Sequence, residues 1–297
     1  LATGWSNLQR AADSDMQEYA YQQFNLPDGT SIAGRYKLGR PGTPLLIGTF
    51  GFLSDTRAHA VANFLDVVKD SPLKEYLILI LDHPSSAPFY CLNGELSWGG
   101  IEEGYILSEV AKIMNQKYRP ASIHLVGISM GGTGVIHAAY RGSDIIKSAI
   151  TFSAVTDLTD EPGTAFRNAE HGSEFGPRLW NWQGFVNNQG FHMLWHAFEY
   201  NVEHDPLCRG KKPILLHQAD TAYLTTARYQ PTARMEQWLE PYIREGVLPP
   251  QIPNTVPEYL VLNDANLIAQ HIRVPLLTAH AADDEVVPAN HYHRFRE

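Results

Sequence analysis

Ser129, in Gly127-Ile128-Ser129-Met130-Gly131, has the neighbours that a nucleophilic hydroxyl needs. A serine hydroxyl is a weak nucleophile until a base takes its proton and the backbone presents it on a sharp turn. Glycine two residues to either side permits such a turn, because a Cβ at either position would clash. The pattern Gly-x-Ser-x-Gly alone is weak, arising by chance in about one chain in ten of this length. Its setting discriminates. Ser122-Ile123-His124-Leu125-Val126 reads as a buried strand ahead of it, and a helical run begins near Gly132 behind it. Strand, tight turn and helix in that order place the hydroxyl above a sheet, near the positive end of the helix.

The elements that must carry this turn alternate along the first 160 residues. Residues 19–24 and 31–36 flank Asp28-Gly29, a hairpin signal. The short apolar runs at 44–50, 76–81 and 149–155 predict strands. Helical spacing falls between them, at 55–69, around Ile106, Val110 and Ile113, and at 133–140. This alternation predicts the α/β class, with a doubly wound, mostly parallel sheet and right-handed crossovers. Residues 1–160 are expected to form the first part of that core. Over 161–270 the texture changes to aromatics such as Trp180, Trp182 and Phe198, broken by prolines such as Pro249 and Pro250. That stretch predicts an inserted, mainly helical cap. The strand-like run 274–279 then returns residues 271–297 to the core.

With this order of elements, the Ser129 motif resembles the nucleophile elbow of the α/β-hydrolase family. The likeness covers roughly residues 17–160 and 270–297. In that family the serine attacks a carbonyl, and two backbone amides meet the charge that develops on its oxygen. The resemblance assigns one amide to Met130. It assigns the other to Phe52, in a Phe50-Gly51-Phe52 loop where the family usually has His-Gly-x. The acid falls to Asp284, four residues before Pro288 in Ala281-Ala282-Asp283-Asp284-Glu285-Val286-Val287-Pro288, a match to the family's acid loop. Asp220, closing a similar apolar run, is second choice and Asp157 third.

The general base is not identified in this way. The family's histidine lies past one more helix and strand after the acid, often as Gly-His, and Glu297 comes too soon for both. Three readings stay open. The last strand and its histidine lie beyond residue 297, or His291 or His293 serves from an unusual C-terminal arrangement, or the chain is a non-catalytic member. His83 is placed to line the pocket, whereas His124 and His137 are expected to be packed. His192 and His196 stand four apart, as helical metal ligands can, but no further ligand set is evident. No metal and no cofactor are therefore expected.

Bulk properties narrow the partners. Of 297 residues 44% are hydrophobic, enough for a large core, and a net charge of -9 disfavours nucleic acid and anionic membranes. No apolar stretch approaches the roughly 20 residues that span a bilayer. Pairing of Cys91 with Cys208 is left open. The start at Leu1 carries no basic-then-apolar leader. A removed signal peptide would leave the same start, so the compartment stays open, with the cytoplasm slightly favoured. The expected function is a serine hydrolase that cleaves a carboxylic ester through an acyl-enzyme. An aromatic cap implies a small, hydrophobic, ester-like substrate. Alternatives are a non-catalytic scaffold of this fold, or a thioesterase, acyltransferase or C–C bond hydrolase.

Overall fold

Strand pairing begins at the expected hairpin. In the computed structural model β1 (Ala20–Asn25) and β2 (Ser31–Lys37) pair antiparallel. Gly29 turns the chain between them with a positive φ of 88°. The structure describes residues 17–40, 42–95, 97, 100–156, 189–212, 233–250, 261–282, 284, 287, 292, 293 and 295. Next come β3 (Leu45–Thr49) and β4 (Leu77–Leu81), each with five consecutive buried residues. Such runs suit strands covered by helices on both faces. β5 (Ile123–Ile128), β6 (Ile146–Phe152) and β7 (Leu276–Ala279) complete a seven-stranded sheet of order β1-β2-β4-β3-β5-β6-β7. β2 meets β4 antiparallel, and every later pairing is parallel.

Alternation along the strands divides the core between two faces. On β3, Leu46 joins Val61, Leu65 and Val68 of α1 (His59–Lys69). Leu45 and Ile47 face the other way, into the larger cluster built with α3 (Ile101–Tyr118) and α4 (Met130–Arg141). A Cβ on Gly104 would collide with His137, so glycine there lets α3 and α4 lie close. Trp238, Leu239 and Tyr242 of α6 (Ala233–Arg244) join the same cluster.

Two elements differ from expectation. β6 spans 146–152 rather than 149–155, because Ser153 adopts φ 47° and turns the chain off the sheet. Its early half escaped the apolar-run criterion because Lys147 and Ser148 are polar. α4 starts at Met130 rather than Thr133, its first turn disguised by Gly131 and Gly132, poor helix formers.

Cys91, in α2 (Ala87–Asn93), forms a disulfide with Cys208, just beyond α5 (Gln189–His204). The sequence left this pairing open. The bond joins positions 117 residues apart. Closing a loop of that size restricts the unfolded chain by about 4–5 kcal/mol in the chain-entropy account. Replacing both cysteines by alanine is therefore expected to lower unfolding free energy by about 2–5 kcal/mol, read from urea denaturation of oxidised wild type and variant.

One buried carboxyl makes stability depend on pH. Burial pushes the Glu102 carboxyl at the start of α3 up to about 8, against a lowering hydrogen bond with Ser97. The folded chain then holds a proton that the unfolded chain releases above its ordinary value of 4.5. Stability must fall as pH rises between those values. Glu102→Gln is expected to remove most of that fall, on the order of 2–4 kcal/mol, in denaturation midpoints measured from pH 5 to 8. Asp82, raised to about 6 chiefly by burial, leaves a smaller decline of the same sign below pH 6.

Candidate active site

Sheet register brings the candidate groups to one edge. Thr49 pairs with Gly127, Ile128 with Phe152, and Phe152 with Ala279. The loops that leave β3, β5, β6 and β7 therefore start side by side, and they carry Phe52, Ser129, Ser153 and Asp284.

Ser129 has φ 57° and ψ -123°, a conformation that L residues rarely adopt. Its N–H donates to the Phe152 carbonyl at 2.9 Å, and its carbonyl accepts from Gly132 N–H at 2.9 Å. The glycines do what the sequence required of them. A Cβ on Gly127 would strike the Gly131 backbone, and one on Gly131 would strike the Phe50 carbonyl. Gly132 sits against Ala154, with a Cβ placed there only 2.8 Å from the alanine Cβ. Ser129 itself is half-buried at the N-terminus of α4.

The close approach of Gly131 to Thr49 and Phe50 sets the post-β3 loop against this turn. Phe50 stands where the resembling family has histidine, and it works as an anchor. It is buried, with its ring edge-on to Phe64 of α1 at 5.6 Å. Among the described residues, neither the Phe52 nor the Met130 N–H donates to another group. Two amides without partners beside a half-buried serine suit an oxyanion. Further along the loop, Leu53 has φ 61° and gives its N–H to Ser85 Oγ at 2.7 Å.

Asp284 lies in a closed turn beyond β7. Its Oδ1 accepts the Val287 N–H at 2.9 Å, and its own N–H reaches the Ala281 carbonyl at 3.2 Å. His280 Nε2 donates to the Val287 carbonyl at 2.6 Å, so buried Val287 is held from both sides. Sequence reasoning passed over His280, whose only signal is its place at the head of the acid loop.

The histidines divide by burial. His293 is exposed and stacks edge-on against Tyr292, with no hydrogen bond to Ser129 or Asp284. His291, Asp157, Asp220 and Asp283 fall outside the described residues, as does the side chain of His192. His83 does not line an open pocket: it is 0% exposed, because β4 delivers it beneath the loop rather than above it. His124 is held between Ser122 and Ser148. His137, between Tyr242 and Asn263, is lowered to about 4 by burial. No three His, Cys, Asp or Glu side chains among the described residues are grouped to hold a metal. No described helix is long and apolar enough to cross a membrane.

The sheet is seven-stranded and mostly parallel, with a left-handed serine between its fifth strand and the helix that follows. The Esterase family model matches residues 83–225, from the exit of β4 through the serine turn. The chain has the α/β-hydrolase fold. Its fold is shared with an esterase from Pyrococcus furiosus, 14% identical, TM-score 0.55, covering 97% of this chain and 80% of that chain. The α/β hydrolase GrgF from Penicillium sp. sh18 is 16% identical, TM-score 0.52, over 94% and 85% of the two chains. A bacterial membrane phospholipase A is 19% identical, TM-score 0.50, over 96% and 77%. No curated protein matches this chain.

The strain at Ser129 yields a direct test. Ser129→Gly removes the side chain that disfavours this backbone and is expected to raise unfolding free energy by about 1 kcal/mol. Gly131→Ala forces a Cβ into the Phe50 carbonyl and is expected to cost about 3 kcal/mol. Thermal or urea unfolding of the two variants should move in opposite directions.

Proposed function

We propose that this protein is a serine hydrolase of carboxylic esters that works through an acyl-enzyme. The observation that carries the reading is the left-handed Ser129 between the end of β5 and the start of α4, with the Met130 and Phe52 amides beside it. Ser129 Oγ attacks the ester carbonyl carbon while a histidine base takes its proton. The carbonyl oxygen becomes an oxyanion and accepts hydrogen bonds from the Phe52 and Met130 N–H groups. Collapse expels the alcohol, which leaves with the proton held by the base. Water then attacks the acyl carbonyl and gives a proton to the base, and collapse releases the carboxylic acid as Ser129 Oγ takes that proton back. Asp284 orients that histidine and stabilises its cation. We assign the base role to none of the described histidines.

Substrate preference follows from the surroundings of the serine. Phe152, paired with Ile128 at the end of β6, is 43% exposed and offers an apolar wall at the same sheet edge. Residues 161–270 are read as the cover over this edge, held at α5 by the Cys91–Cys208 disulfide and an Arg57–Asp205 ion pair. Such walls favour esters with a hydrophobic acyl or alcohol part. Thioesters fit the same machinery.

A fluorophosphonate probe is expected to label wild type at Ser129 and to leave Ser129→Ala unmodified. Turnover of p-nitrophenyl butyrate should fall about 10⁴-fold or more in that variant. Wild type that neither reacts with the probe nor cleaves the ester would instead be a non-catalytic binding member of the fold.

A further inference from the structure

Beneath the Phe52 loop lies a buried polar chain that the proposed reaction does not use. Glu103, on α3, is 0% exposed, as are His83 and Ser85 on the segment leaving β4. Ser85 N–H donates to His83 Nδ1 at 3.1 Å, so Nδ1 is an acceptor and the ring proton sits on Nε2. Ser85 Oγ lies 2.6 Å from the same Nδ1 and must donate to it. That leaves Oγ lone pairs for the Leu53 N–H at 2.7 Å. On the other side of the ring, Nε2 faces Glu103 Oε2 at 3.4 Å. The second carboxyl oxygen of Glu103 accepts from Thr49 Oγ1 at 2.8 Å. The order is Glu–His–Ser, but Nε2 and Oε2 face each other without a hydrogen bond, and the chain is closed to solvent and ends on a backbone amide.

We infer that Ser85, His83 and Glu103 are positioning residues for the oxyanion hole. Leu53 is a non-glycine residue at φ 61°, a strained conformation that persists only where its surroundings hold it. Ser85 Oγ supplies the hold. It occupies the Leu53 N–H, fixes the peptide that follows Phe52, and leaves the Phe52 N–H to meet developing charge. Two neighbouring bonds brace the same loop from the same segment. His83 N–H reaches the Ser54 carbonyl at 2.9 Å, and Thr56 N–H reaches Asp82 Oδ1 at 2.7 Å. Glu103 ties this brace to the serine turn. It is hydrogen-bonded to the last residue of β3 and packs against Gly134 of α4, where a Cβ would collide with its carboxyl. A shift in the carboxyl is therefore felt both by the loop with Phe52 and by the helix with Met130.

This inference rests on reading Phe52 as an oxyanion donor, and two measurements keep the claims apart. The first is amide hydrogen exchange of residues 50–56 by mass spectrometry, which needs no activity. Ser85→Ala is expected to speed exchange there at least tenfold, Ser85→Thr to restore protection, and Glu103→Gln to give an intermediate loss. The second is steady-state hydrolysis of p-nitrophenyl butyrate. Ser85→Ala is expected to lower kcat about 10–100-fold with KM within about twofold, because the loosened amide matters most when charge develops. Ser85→Thr should recover most of that loss. Unchanged exchange in Ser85→Ala overturns the inference, as does altered exchange with unchanged kcat. Wild type without turnover or Ser129 labelling would sink the esterase reading alone, and exchange would then decide whether Ser85 holds the loop.

Discussion

The structure turns on one close contact, the backbone of Gly131 against the backbone of Thr49 and Phe50. Neither segment can withdraw. Thr49 is the last residue of a central strand, and Gly131 belongs to the first turn of a helix packed on the sheet. Because no side chain intervenes, the loop after β3 and the turn after β5 meet at main-chain distance. Two amides from separate loops can then address one oxygen. Left-handed geometry at Ser129 is the local cost of that approach, and the sheet pairing on both sides of β5 sustains it.

Around this contact, buried polar groups do work that apolar packing cannot. Hydrophobic clusters on the two faces of the sheet hold helices at a distance, but they do not fix the rotation of a peptide plane. Hydrogen bonds between the loop and Asp82, His83 and Ser85 do, because each is directional and closed to competing water. Arg57 extends the same set outward, pairing with Asp55 and with Asp205 beyond α5. Asp82 also receives the Tyr21 hydroxyl at 2.7 Å, which links the edge hairpin to the loop. Most of this scaffold comes from five successive residues after β4, Asp82-His83-Pro84-Ser85-Ser86.

Much of the site could be read from sequence where the constraint was local. Gly127, Ser129 and Gly131 lie within five residues, and the steric demand of the turn is written in their types. The turn at Asp284 is local in the same sense, since Asp284 and Val287 are bonded three residues apart. Long-range relations were not. Glu103 follows Glu102 in what reads as a polar helix start, and nothing at residue 103 signals His83 twenty residues earlier. The pairing of Cys91 with Cys208 likewise depends on α2 meeting the end of α5. His83 had been expected to line the pocket, because its position in the chain is right for that. Only the direction taken by the segment after β4 sends it inward. The span of β6 was misplaced because a polar pair sits in its first half and a left-handed serine ends it.

The Cys91–Cys208 bond gives the molecule a covalent topology that its strand order does not convey. It closes residues 91–208 into a macrocycle that contains Ser129 and Met130, while Phe52 and Asp284 hang from the two tails outside it. A single cut of the backbone anywhere inside the ring linearises it without releasing either piece. Ser129 and Asp284 then stay tethered through sulfur, so a nicked, oxidised chain keeps both on one molecule, whereas the same nick after reduction separates its halves wherever noncovalent packing alone cannot hold them.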